Sequence, residues 1–307
     1  MSERQNLSAT RGSSAGIRFF RVFMRLFGLK HACNFVWFVV LFYALFDRRA
    51  NRAALPYVQL RFPEARGFTR WLHCYRLMAS QGEALLIAGW IGAHGWKFPH
   101  RAENRDGMAA LLADRSRGFV MVTSHFGCWQ AALAGLAGFG RTVNLLAQPD
   151  AKAELDKRMA VPDCADQFKL IPADGFMGGL LECIEAVRRG EVVCVMGDRV
   201  AGGASRPAKF FSGAMEFPLS PWLVAARSGC PVVPLFIAFE PDCSELLFRF
   251  GDVIRVSGDP DRRVRPEELA APMAEYARGL ENMARRYPYQ VFRFEPDEKT
   301  AKRCYNS

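Results

Sequence analysis

Five short apolar runs dictate what this chain can fold into: Phe119–Thr123, Thr142–Ala147, Val192–Met196, Val232–Phe239 and Leu246–Phe250. Each is too short for a helix, is bounded by polar or turn-forming residues, and is rich in Val, Ile, Leu and Phe. Those are the marks of strands buried on both faces. Helical patterns lie between several of them. Residues 178–189 place Leu180, Leu181, Ile184 and Val187 on one face, and Gly190 follows as a cap. Ser220-Pro221 reads as an N-cap with proline at the first helical position, and Gly229 closes that segment. Pro266-Glu267-Glu268 opens a last helix that ends before Tyr287-Pro288. Residues 51–115 are mainly helical by spacing. Strands alternating with helices predict an α/β fold, a mixed central sheet flanked by helices.

The N-terminal region has a different character. Residues 1–16 are polar and read as a disordered tail. Residues 17–50 read as a membrane-association segment, with an α/β domain occupying 51–307. Arg18, Arg21 and Arg25 recur at helical steps among Ile, Phe, Val and Leu, the pattern of a basic amphipathic helix at an anionic interface. Ala32–Phe46 is then almost continuously apolar and crowded with Phe, Trp and Tyr. As a helix it spans about 22 Å, short of the roughly 30 Å hydrocarbon core. No small-residue cleavage site follows, so a signal peptide is disfavoured. A buried core helix competes with a helical anchor, and the aromatic crowding between basic flanks favours the anchor.

Charge and cysteine content narrow the function classes. With 41 Lys and Arg against 31 Asp and Glu, the net charge is +10. That suits an anionic membrane surface or an acidic protein partner, and no nucleic-acid module accompanies it. The nine cysteines are odd in number, lack CxxC spacing and sit in apolar runs, so neither a disulfide framework nor a metal site is expected.

One block carries chemistry: Ser124-His-Phe-Gly-Cys-Trp-Gln130, delivered at the end of a buried strand. Ligands of open α/β sheets bind at such ends. Within one helix His125 and Gln130 would sit about 140° apart, so they meet only if His125 lies outside it, at a turn Gly127 permits. A second block, Gly197-Asp198-Arg199, follows another buried strand and opens a glycine-rich loop that presents Arg199, Arg206 and Lys209 to an anionic group.

With Val232–Phe236 and Tyr287–Phe294, these blocks occur in an order that resembles the lysophospholipid acyltransferase-like superfamily, and within it the lipid A biosynthesis lauroyl/myristoyl acyltransferases. The resemblance spans roughly residues 17–295. The family signature is His-x4-Asp/Glu, and Gln130 stands here where the carboxylate would be. The resemblance implies transfer of an acyl group from an acyl carrier protein or acyl-CoA thioester to a hydroxyl or amine of a lipid-like acceptor. It implies no cofactor, and a place at the cytoplasmic (inner) membrane with the catalytic domain on the cytoplasmic side. His125 is then the general base, oriented by Gln130, with backbone N–H groups of the following turn stabilising the oxyanion. Ser124, Gly127, Asp198, Arg199, Arg206 and Lys209 fall to substrate binding, and Cys128 is not a nucleophile. The competing reading is a catalytically silent lipid-binding or scaffold relative, which turnover of an acyl thioester would separate from the enzyme.

Overall fold

The computed structural model describes residues 14–147, 167–200, 203–257 and 264–294. Its centre is an eight-stranded mixed sheet. In chain order the strands are β1 (His100–Glu103), β2 (Phe119–Thr123), β3 (Val143–Ala147), β4 (Phe168–Pro172), β5 (Val192–Met196), β8 (Pro231–Phe239), β9 (Leu246–Phe250) and the short β10 (Ile254–Arg255). β6 (Ser205–Phe210) and β7 (Gly213–Pro218) form a separate antiparallel hairpin. Across the sheet the order is β1-β9-β8-β2-β5-β3-β4, with β10 on β8. Only the pairings of β8 with β9 and with β10 are antiparallel.

All five apolar runs are strands, and β2, buried at every position, lies near the middle. The α/β expectation with a mixed sheet and a long N-terminal apolar helix therefore holds. Five strands escape the apolar-run criterion: β1, β4, β10 and both arms of the β6–β7 hairpin, the first of which lies where a glycine-rich loop was expected as far as Lys209. Ala201 and Gly202 of that loop, residues 1–13 of the expected tail, and Cys164 and Cys304 lie outside the described residues.

The helices are α1 (Ser14–Phe46), α2 (Arg48–Arg61), α3 (Gly67–His94), α4 (Asp106–Ala113), α5 (Ala132–Leu136), α6 (Leu180–Arg188), α7 (Ser220–Ser228) and α8 (Ala270–Arg286). Ser220 is the first residue of α7 rather than its cap, which is Leu219, while Gly229 closes it at φ 65°.

α1 begins at Ser14, inside the segment read as tail, and is not one rod. Gly28 has φ 80° and ψ 169°, a conformation open to glycine, and the chain turns back there. In a straight helix Phe23 and Phe35 would stand about 18 Å apart; their rings are 5.1 Å apart. The later half packs on α3 through Ala32, Cys33, Val36 and Ala44, which are buried at helical spacing. Gly82 of α3 permits the approach: a Cβ there would lie 2.9 Å from Val36 Cγ2. The opposite side stays uncovered, with Phe38 and Phe46 each 70% exposed. This half-packed helix is neither the fully buried core helix nor a free-standing one.

Candidate active site

The chain leaves β2 over β5 to reach β3, and leaves β5 past β2 to reach β8. Adjacent strands whose connections depart to opposite sides open a crevice at their carboxyl ends, the switch point where α/β sheets place ligands. β2 and β5 are parallel, with Thr123 opposite Met196. His125 lies two residues beyond the first strand and Asp198 two beyond the second, so the register itself brings them side by side. Asp198 Oδ1 is 3.0 Å from His125 Nδ1, and its Oδ2 accepts from the His125 backbone N–H at 2.8 Å.

Asp198 is 1% exposed. Burial alone would raise its pKa, but the His125 ring, its two hydrogen bonds and the Arg199 charge outweigh burial and hold the carboxyl below its usual range. An ionised Asp198 fixes the proton on Nδ1 and leaves Nε2 with its lone pair. The His125 side chain is 18% exposed, and Nε2 has no hydrogen-bond partner among the described residues. The Trp129 ring meets the imidazole edge-on, centroids 5.4 Å apart.

Two features keep the pair in place from beneath. The Tyr276 hydroxyl donates to Thr123 O at 2.9 Å, and burial together with the Asp198 charge raises its pKa well above that of the ordinary phenol, so it stays protonated. Gly197 donates to Thr123 O at 2.8 Å, and a Cβ at Gly197 would stand 2.2 Å from Val122 Cγ1. Only glycine lets the chain pass there between β5 and Asp198.

The other sequence-derived residues divide. Gln130 is not the partner of His125. It is the middle residue of a short 3-10 turn, Trp129–Ala131, and its Oε1 is buried without a hydrogen bond. Ser124 is buried at the end of β2 next to His125. Gly127 has φ 53° and makes the turn, as its residue type requires. The N–H groups of that turn are spoken for, however: Gly127 donates to Gln290 O at 2.7 Å and Cys128 to Ile237 O at 2.9 Å. These two N–H groups are therefore not free to serve as the expected oxyanion donors. Cys128 is fully buried, its Sγ 3.8 Å from Ala84 O.

Arg199 stays close to the pair, donating to Phe292 O at 3.2 Å. Arg206 and Lys209 do not join it as a cationic loop. Both lie on β6, three residues apart and so on opposite faces of the strand. Arg206 pairs with Glu267 at 3.3 Å. Among the described residues no group of three His, Cys, Asp or Glu is placed to hold a metal ion.

A buried carboxylate beside a histidine, at a switch-point crevice of a mixed sheet, is an arrangement that can carry acid–base chemistry on an α/β fold. The chain belongs to the bacterial lipid A biosynthesis acyltransferase family, whose model matches residues 100–286. It is accordingly an acyltransferase acting on a lipid acceptor. The matched span contains His125, Gln130 and Asp198 and excludes α1 to α3 and the segment after α8. No curated protein matches the chain.

Proposed function

We propose that this acyltransferase uses His125 as general base, with Asp198 rather than Gln130 as its orienting carboxylate. The supporting observation is the 3.0 Å contact of Nδ1 with an ionised, buried Asp198. In the reaction Nε2 takes the proton from the acceptor hydroxyl or amine as its oxygen or nitrogen attacks the thioester carbonyl. The tetrahedral intermediate collapses with cleavage of the C–S bond, and the proton on Nε2 passes to the departing thiolate. Asp198 stabilises the imidazolium between those two transfers. No acyl-enzyme is needed, in keeping with the burial of Cys128.

The donor in this reading is an acyl carrier protein, an acidic partner suited to the +10 chain; acyl-CoA is the alternative. The protein sits on the cytoplasmic side of the inner membrane. α1 is long and apolar enough to cross a bilayer by length and composition, but its bend at Gly28 and its packing on α3 favour a monotopic attachment, lying in the interface. Exposed Ile17, Phe19, Val22, Leu26, Phe27, Phe38, Phe42 and Phe46 supply the apolar contact.

The deciding experiment measures acyl transfer from carrier-protein and CoA thioesters to lipid acceptors. His125→Ala should abolish transfer. Turnover undiminished in that variant defeats the mechanism, and no turnover by the wild type with either donor defeats the activity.

A further inference from the structure

After α8 the chain does not trail off. It runs back across the turn that carries His125. Phe126 and Val291 form an antiparallel bridge. On either side of it Phe292 N donates to His125 O at 2.7 Å and Gly127 N donates to Gln290 O at 2.7 Å. Gln290 is buried, 5% exposed, and its side chain spends both ends of its amide on one residue: Nε2 donates to Phe239 O at 2.7 Å, and Phe239 N donates to Oε1 at 3.1 Å. Phe239 is the last residue of β8. Gln290 therefore acts as a strand residue supplied from outside the sheet, and it joins the end of β8 to the His125 turn.

The joint has no slack. A Cβ on Gly127 would stand 2.1 Å from Ile237 O and 2.9 Å from Gln290 Oε1. β2 gives up its ladder with β8 after Val122 and Pro234, so no sheet hydrogen bonds to β8 extend to His125. Its main chain is held instead by Asp198 Oδ2 on the N–H side and Phe292 N on the carbonyl side. The second of these rests on the segment Gln290 anchors.

We propose that Gln290 is a positioning residue for His125: it locks the C-terminal segment to β8 so that the imidazole keeps its contact with Asp198. This inference rests on the reading of His125 as base. It makes no claim that Gln290 touches substrate. A displacement of about 1 Å in a reacting group is enough to cost about 100-fold in rate.

The test compares full-length wild type, Gln290→Met and Gln290→Glu. Met keeps the length and removes both hydrogen bonds. Glu keeps the acceptor for Phe239 N and loses the donor to Phe239 O. Three readouts are taken: kcat and KM for acyl transfer, the Nδ1–H proton resonance of His125 in 15N-histidine-labelled protein, and the thermal midpoint. The expected order of kcat is wild type, Glu, Met, with Met down about 10- to 100-fold, KM within about twofold, and the Nδ1–H resonance broadened or lost. A residue of purely structural importance would lower the midpoint and leave kcat and the resonance of the folded protein unchanged; that result overturns the proposal. Should Gln290→Met not fold, Gln290→Glu decides alone, and wild-type kcat with an intact resonance overturns it. Activity that survives His125→Ala defeats the base assignment itself. An inactive His125→Ala beside a fully active Gln290→Met defeats only the role of Gln290.

Discussion

A carboxylate kept ionised while nearly sealed from water is held by its partners, and for Asp198 those partners are His125 and Arg199. Replacing it with Asn removes the charge that stabilises an imidazolium and puts an amide N–H where Nδ1–H needs an acceptor. In the serine-protease triad the corresponding change costs about 10⁴ in kcat. Asp198→Asn should therefore lower kcat by on the order of 10³-fold or more, whereas Gln130→Ala, which breaks no hydrogen bond at Oε1, should cost far less. Equal losses in steady-state kinetics would return Gln130 to the orienting role that the family resemblance implies. Because the folded pKa of Asp198 is lowered, its ionic contribution to stability is present above the ordinary Asp value of about 3.9 and is lost as pH falls through the folded value. Urea midpoints compared at pH 6 and pH 3 should show wild type losing more than Asp198→Asn. A parallel loss in the two proteins would mean that the pair contributes nothing to folding.

The interface between α1 and α3 contains a carboxyl in the opposite condition. Glu83 of α3 is 6% exposed, and its Oε1 accepts from Trp37 Nε1 at 2.7 Å. Burial pushes its pKa up to about 7, against the opposing effect of the Trp37 hydrogen bond. The folded state thus binds a proton that the unfolded chain, titrating near 4.3, has released. Stability must fall with rising pH between about 4.3 and about 7, by roughly 3 kcal/mol on this group alone. Glu83→Gln keeps the acceptor for Trp37 and removes the ionisation. It should raise the thermal midpoint by several degrees at pH 8 and by little at pH 5; equal shifts at both would refute the assignment. Nothing in the local sequence of Glu83 announces this, because its burial is made by α1. The same limit governs the rest of the fold. The central strands were legible because burial on both faces leaves a continuous apolar signature. β1 (His-Arg-Ala-Glu) and β4 (Phe-Lys-Leu-Ile-Pro) are edge strands paired on one side only, and carry charges and a proline that the run criterion rejects. His125 was legible as a residue at a strand end. The family signature puts its partner at Gln130, five residues on, with Asp198 able to supply the missing charge only if the fold brings it near; the sheet brings Asp198 to 3.0 Å, from 73 residues away. The signal was present in the equal offset of two beyond each of two apolar runs, and it becomes readable only once those runs are known to be parallel neighbours.

At the scale of the whole molecule, the apolar face left open by α1 is the feature that a soluble protein would cover. Removing α1 altogether is a poor test, because Gly82 and Glu83 of α3 would lose the α1 side chains Val36 and Trp37 packed against them. Point changes on the outer face separate membrane binding from folding. Phe38, Phe42 and Phe46 are 70%, 61% and 70% exposed, so Ser at all three costs little packing. Each Phe that enters the interface is worth about 1.5–3 kcal/mol when fully buried, and partial insertion delivers less. The triple change should weaken partitioning onto phosphatidylglycerol-containing vesicles by two to three orders of magnitude, roughly 3–4 kcal/mol in all. Binding that persists should then depend on Arg18, Arg21, Arg25, Arg48, Arg49 and Arg52, and should collapse between about 0.1 and 1 M salt as the screening length shortens from about 10 to 3 Å. Wild-type binding, carried by apolar insertion, should resist the same salt. Co-sedimentation with the two proteins at the two salt concentrations reads both terms. A triple variant that binds as tightly as wild type at high salt would show that the exposed face of α1 does not touch the bilayer, and the monotopic reading would fall with it.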